Sequence, residues 1–353
     1  MKQVLKKWFE QYFSNEEAVL LSIILIVSVL VLVTLGNILG PFIAAIIIAF
    51  LLQGLVNNLQ KLGFRPLTAV FSTYLLFLLG FISLLIVVIP IIIRQTSLLL
   101  GELPAMVIQL KELLTSFPEK LSAYIGPEQF QLILVRGSEE IAKLAEQLLS
   151  FSISSFPSLL AVMIYIVLVP LLVFFMLKDK DQLLAMLSDM LPRERSVMTV
   201  IWNEMDMQFA NYVRGKAIEI VIVGTVSFLA FLVLGVQYAA LLALLIGLSV
   251  LIPYIGATVV TIPVLLVGYF QWGYSSEFAW LVGVYAFIQI LDGNLLVPLL
   301  FSEVVNLHPV AIIIAVLLFG GIWGFWGLFF AIPLATLVKA VYNAWPRNQA
   351  SLD

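Results

Sequence analysis

Asp292 stands inside an apolar run, Phe278 to Pro298, with Gly293 and Asn294 after it and Gln289 one helical turn before it. A carboxylate near the centre of a membrane helix costs about 2.5–3.5 kcal/mol on insertion scales, so its presence there calls for a role. Deep in the span, Asp292 is an ion-coupling or solute-binding group. Close to the inner end of the span, it is a solvated interfacial carboxylate. The sequence leaves both readings open.

Two further runs carry the other candidates. Tyr238 to Phe270 and Pro309 to Ala344 are each too long for one straight span and too short for two with a loop. The first is interrupted at Ile252-Pro253-Tyr254-Ile255-Gly256, the second along Gly320 to Gly327. Pro253 removes a backbone donor, and Gly256 permits a sharp reversal. Irregular backbone at membrane depth survives only when protein covers it or it lines a wet cavity. Its freed carbonyls and helix ends are then available to a polar solute or a cation. Candidate substrate- or ion-binding residues are therefore Pro253, Tyr254, Gly256, Gln289, Asp292, Asn294, Gly321 and Gly324. Coupling candidates are Asp292, Glu303 and His308, the last two in the connection after the Asp292 span. His308 precedes Pro309 and is placed to start the next helix; a lone histidine makes neither a triad nor a zinc site. Glu219, beside Arg214 and Lys216 at the start of a span, reads as interfacial. The glycines from Gly320 to Gly327 permit close helix contact, and Trp323 and Trp326 read as interfacial anchors.

Other chemistries lack their signatures. There is no HExxH, GxSxG, Walker loop or cofactor fingerprint. Cysteine is absent, which excludes disulfides, thiolate zinc sites and iron–sulfur clusters. No enzymatic activity, catalytic residue, metal or cofactor is expected. A net charge of −3 offers no basic field for nucleic acid.

The elements that position these residues follow from composition. Of 353 residues, 62% are hydrophobic and only 11% charged. Apolar runs of membrane-spanning length recur along the chain. The fold expected is all-α: a polytopic helical membrane protein of about eight hydrophobic elements. The clear spans are Ala18 to Leu35, Ile38 to Val56, Leu67 to Ile93 and Phe156 to Leu177. Before the first, Leu5, Trp8, Phe9 and Tyr12 share a helical face that suits the headgroup region; a frayed tail is the alternative. Ser14 and Glu17 make a capping-box pattern. No cleavage site follows the first run, which reads as an uncleaved span.

Four segments result. Residues 1–93 hold the amphipathic start and three spans. Residues 94–152 form a small helical domain outside the membrane. Residues 153–213 hold the fourth span and an amphipathic helix with Val197, Ile201, Met205, Phe209 and Tyr212 on one stripe. Residues 214–353 form the transport domain. Placing the N-terminus inside puts thirteen of the 18 Lys and Arg residues on the cytoplasmic side. The 94–152 domain is then extracytoplasmic, and both termini are cytoplasmic.

On that orientation the span Ala217 to Gly235 runs outward and its broken run enters from outside. The span Phe278 to Pro298 runs inward and its broken run enters from the cytoplasm. Inverted units with interrupted helices point to the site of a secondary transporter. Two tilted, kinked full spans would satisfy the same hydropathy.

The order and spacing of Ile252-Pro253-Tyr254-Ile255-Gly256, Ile262-Pro263, Asp292-Gly293-Asn294 with Pro298, Leu307-His308-Pro309, Gly320 to Gly327 and Ile332-Pro333 resembles the autoinducer-2 exporter family, most closely its PerM-type permeases. The specific match covers Ala217 to Ala344. The resemblance implies a transporter of the bacterial inner membrane and a homo-oligomer with mobile hairpins. It implies export of a small polar solute, or sodium–proton exchange, and does not choose between them. A membrane scaffold that binds partners through residues 94–152 is the non-transporting alternative.

Overall fold

The computed structural model describes residues 16–36, 38–116, 135–136, 143, 159–189, 196–253, 255–301 and 307–345. The elements there are helices, in order α1 Glu16–Leu35, α2 Gly40–Lys61, α3 Pro66–Ser83, α4 Ile89–Ser116, α5 Leu159–Lys178, α6 Lys180–Asp189, α7 Ser196–Leu234, α8 Ala239–Ser249, α9 Ile255–Trp272, α10 Ser276–Leu291, α11 Val297–Phe301, α12 Pro309–Phe329 and α13 Ala331–Ala344. Six helical stretches among the described residues are long and apolar enough to cross a membrane, and α5 with α6, bent by 80°, would make a seventh. The chain is an all-α polytopic membrane protein. Large apolar side chains such as Ile86, Leu79 and Val233 stay exposed on its outer faces, where lipid rather than water is the solvent. The amphipathic start at Leu5 to Tyr12, with Ser14, lies outside the described residues.

Proline shapes the helices in two ways. Pro41 and Pro66 open α2 and α3, where their missing donor is not needed. Pro90 and Pro298 each follow a π-turn, Leu84–Val88 and Asp292–Leu296. In both, the residue just before the proline sends its N–H back five residues, Ile89 to Leu84 O and Val297 to Asp292 O. A proline ring crowds the carbonyl four residues before it, and the widened turn relieves that crowding.

The first half packs around α2. Ala45, Ala49 and Val56 of α2 pack on Val169, Val173 and Leu177 of α5, with Ala69 and Val70 of α3 alongside. Sequence boundaries at 93/94 and 213/214 fall within unbroken helices, α4 and α7. Beyond Ser116 only residues 135–136 and 143 of the 94–152 segment are described.

The second half is organised along α7, which joins the expected amphipathic helix and the following span into one element of 39 residues. Helix α8 turns back along it, with Gly247 backbone against Gly224 and the Ile220 carbonyl. Helix α9 then returns to its starting end. Gln271 donates to Gly235 O at 2.8 Å and accepts from Gln237 N at 2.8 Å, joining the open ends of the α8–α9 pair. The reversal is tight: a Cβ on Gly256 would collide with the Ser249 carbonyl.

By length α12 is a span, but its backbone turns back inside it. Gly324 takes φ 58° and ψ −133°, a conformation that favours glycine. Gly327 then lies against the Phe319 carbonyl, and Gly320 against Leu328. At the far end of α13, Ala340 packs with Leu21 of α1 and Ile201 of α7. The two hairpins thus lie along opposite halves of α7, and their reversals meet beside its centre. Leu251 of the first packs with Phe329 and Phe330 of the second.

The close approaches set a test. Gly256→Ala and Gly327→Ala should each destabilise by roughly 1–3 kcal/mol through overpacking. Gly283→Ala, which meets open space, should be neutral or stabilising by about 0.5–1 kcal/mol. Thermal unfolding of the detergent-purified protein measures all three. A Gly256→Ala variant as stable as its parent would mean the first turn is looser than described.

Candidate functional site

Where a helix ends inside a protein in lipid, its last carbonyls need donors. At the first reversal, Pro253 cannot give an N–H to the Ser249 carbonyl; Ile252 N serves it instead at 3.0 Å. The next carbonyl, Val250, is met by Lys216 of α7, with Nζ at 2.6 Å. At the second, Pro333 leaves the Phe329 carbonyl without its helical donor. Tyr212 of α7 supplies one, its hydroxyl 2.8 Å away. Tyr212 and Lys216 are one helical turn apart, so α7 presents both caps on one face.

The same face carries two more residues. Gly215 has no side chain, and a Cβ there would press into the Phe301 ring. That ring lies 5.1 Å from Lys216 Nζ, a cation–π contact. Glu219 approaches Lys216 Nζ to 2.8 Å through Oε2, a buried ion pair. Tyr212, Gly215, Lys216 and Glu219 follow the i, i+3, i+4, i+7 pattern of a single helix face.

Asp292 opens the π-turn after α10 and is only 9% exposed. It lies within electrostatic range of Lys216 and Glu219. Its Oδ1 is buried without a hydrogen-bond partner. Lys216 and Glu219 are only 5% and 1% exposed. This corrects the interfacial expectation for Glu219: protein encloses the pair. Lys216 and Glu219 thus form a buried ion pair at the first reversal, with the Asp292 carboxylate within electrostatic range. Among the described residues no three His, Cys, Asp or Glu side chains form a metal site.

The remaining sequence candidates separate into groups. Pro253 is half-buried and Gly256 buried within the first reversal, while Tyr254 lies outside the described residues. Gln289 donates to Tyr285 OH at 3.0 Å, and that hydroxyl shares a 2.8 Å hydrogen bond with Thr261 of α9. This polar chain ties α9 to α10. Asn294 is exposed and donates to Ile290 O at 2.9 Å within its own helix. Gly321 and Gly324 are exposed at the second reversal. Gly324, Trp323, Trp326, Tyr165 and Val33 line a cavity of about 640 Å³ there. Trp323 and Trp326 stack on Phe330 at 5.9 and 6.3 Å and pack at Gly36 and Gly40. Both are half-buried, held by these contacts at the second reversal. His308 caps α12, its Nδ1 accepting from Val310 N at 3.3 Å, and is exposed. Glu303 lies outside the described residues.

Tyr212, Lys216, Glu219, Thr261 and Tyr285 are absent from the sequence candidates. The one-face spacing of Tyr212, Gly215, Lys216 and Glu219 was the available signal.

A double-mutant cycle tests the second cap. Tyr212→Phe should cost about 1–3 kcal/mol by leaving the Phe329 carbonyl unpaired. In a Pro333→Ala background, residue 333 regains an N–H for that carbonyl, and the cost should fall by about 1 kcal/mol. Additive costs would separate the hydroxyl from the carbonyl.

The family model described as AI-2E family transporter matches residues 20–347. Over all 353 residues and the whole of the relative, the chain is 42% identical to "Putative permease PerM" of Escherichia coli (strain K12). It is 29% identical to "Putative transport protein YueF" of Bacillus subtilis (strain 168), over 88% of this chain and 85% of that one. With its membrane-spanning helices and its match from end to end, the chain belongs to the AI-2E family of transporters.

Proposed function

We propose that the chain is a secondary transporter of the bacterial inner membrane that exports a small polar solute, with the two hairpins forming the substrate site. The observation that supports this most directly is the meeting of two chain reversals beside the centre of α7, each with a freed carbonyl capped by a side chain of that helix. A cap made by one side chain leaves a carbonyl that a solute can serve in its place, so the α8–α9 hairpin, held by the Lys216 ammonium, can open when replacement contacts are supplied. In this proposal the hairpins are re-entrant and enter from opposite faces, the first from outside and the second from the cytoplasm. Both termini are cytoplasmic and the first half, as scaffold, carries homo-oligomer contacts.

A second mode, sodium–proton exchange, is favoured by one specific observation. Asp292 is buried with an unpartnered oxygen, within electrostatic range of Lys216 and Glu219. A carboxylate so placed gains from a cation or a proton and is the natural coupling group.

Asp292→Asn should abolish solute-coupled or cation-coupled flux in reconstituted vesicles while leaving the protein folded, as measured by gel filtration and thermal unfolding. Unchanged flux would remove Asp292 from coupling. Orientation is tested separately in the cysteine-free chain. An impermeant maleimide on intact cells should label Ser122→Cys and spare Ser351→Cys; labelling of the second would reverse the topology.

A further inference from the structure

We infer that the Lys216 ammonium is a tethered cation: it competes with an entering monovalent cation for the carboxylates beside the first reversal, and its displacement unlatches the α8–α9 hairpin. The inference rests on the transporter reading and adds a role for a residue that reading uses only as a cap.

The contacts of Lys216 Nζ are those of a cation site. It touches the Val250 carbonyl at 2.6 Å, at the C-terminal end of α8. Helix C-termini carry partial negative charge. Glu219 Oε2 lies at 2.8 Å and the face of Phe301 at 5.1 Å. A carbonyl, a carboxylate and an aromatic face would each serve an alkali cation as well as an ammonium. The long flexible stem of lysine lets the head leave without moving the backbone.

The charges leave room for one more cation. Two carboxylates and one ammonium leave a single unmatched negative charge when all are ionised. The structure shows where it falls: Asp292, more than nine-tenths buried, has Oδ1 unpartnered. A buried carboxylate without a partner is unfavourable. An entering monovalent cation relieves that cost by binding Asp292 and Glu219, and in doing so competes with Lys216 for Glu219. With its ion pair to Glu219 weakened and a second cation beside it, the ammonium is repelled and can withdraw from Val250. The carbonyl next to the Ile252-Pro253 break is then free, and the α8–α9 hairpin can shift along α7. Close packing of Gly247 on Gly224 provides a smooth track for that shift.

Sodium is the probe, with choline at equal ionic strength as the control. Purified protein is melted over a sodium series. Lys216→Gln removes the competitor, so its sodium-dependent stabilisation should reach half-effect at a sodium concentration lower by about tenfold or more than in the parent. Lys216→Gln combined with Asp292→Asn should lose the sodium dependence. An unchanged sodium curve in Lys216→Gln, or one that persists in the double variant, overturns the inference. Should Lys216→Gln fail to fold, the native Lys216 is kept and Ile252→Cys reports the latch. Sodium should speed its maleimide labelling severalfold over choline, and Glu219→Gln should abolish that effect. Equal labelling rates in sodium and choline overturn the inference. Sodium binding that tightens in Lys216→Gln while the parent shows no flux supports the tethered cation and overturns the transporter reading alone.

Discussion

A carbonyl freed inside a membrane protein must find a donor, and the second half of this chain is built around that requirement. Breaking a helix twice strands carbonyls at Val250 and Phe329. Neither can turn to lipid, which offers no donor. Helix α7 answers both with Lys216 and Tyr212 on one face. The position of the two hairpins follows, since each reversal must lie where its cap can reach. The same solution recurs at helix starts. Glu17 of α1 accepts from Val197 N at the beginning of α7, and Gln95 of α4 accepts from Leu241 N at the beginning of α8. Helix ends here are capped across helices, and those caps tie the first half to the hairpin half.

Which features were legible in the sequence follows from the range of the forces involved. Both reversals could be read because their causes are local. Pro253 and Gly256 act on their own backbone, and so does Gly324. His308 before Pro309 could be read as a helix start for the same reason. Lys216 and Glu219 could not be placed by local means. Next to Arg214, at the edge of an apolar run, they look like interfacial charges. Their burial depends on Val250, Phe301 and Asp292, all of them far along the chain and the nearest 34 positions beyond Lys216. Charge counting along a chain treats each lysine as solvated, and it fails where a fold brings a distant carboxylate to it. The long α7 was missed for a related reason. Its polar first half and apolar second half resemble two elements by hydropathy, but no proline interrupts 196–234, and the helix runs on through Gly215.

The two caps differ in kind, and that difference carries through to how the hairpins can behave. Tyr212 gives a neutral hydrogen bond within an aromatic packing. Its ring lies 6.1 Å from Phe329, Phe329 lies 4.7 Å from Phe330, and Phe330 stacks with Phe209, Trp323 and Trp326. No ion competes for that contact, and moving it would separate several buried rings. Lys216 gives a charged contact shared among a carbonyl, a carboxylate and a ring, with a second carboxylate within electrostatic range. Such a contact is sensitive to any cation or proton that reaches the cluster. Under the proposed mechanism an ion acts on α8–α9 first, with α12–α13 as the wall it moves against. Gly224 and Gly247 keep the α7–α8 surface smooth, and Gly320 and Gly327 press the α12 reversal closed. Both reversals are closed by glycine, at Gly256 and at Gly327, so the difference between the hairpins lies in their caps, and α7, which carries both, is the element that the two share.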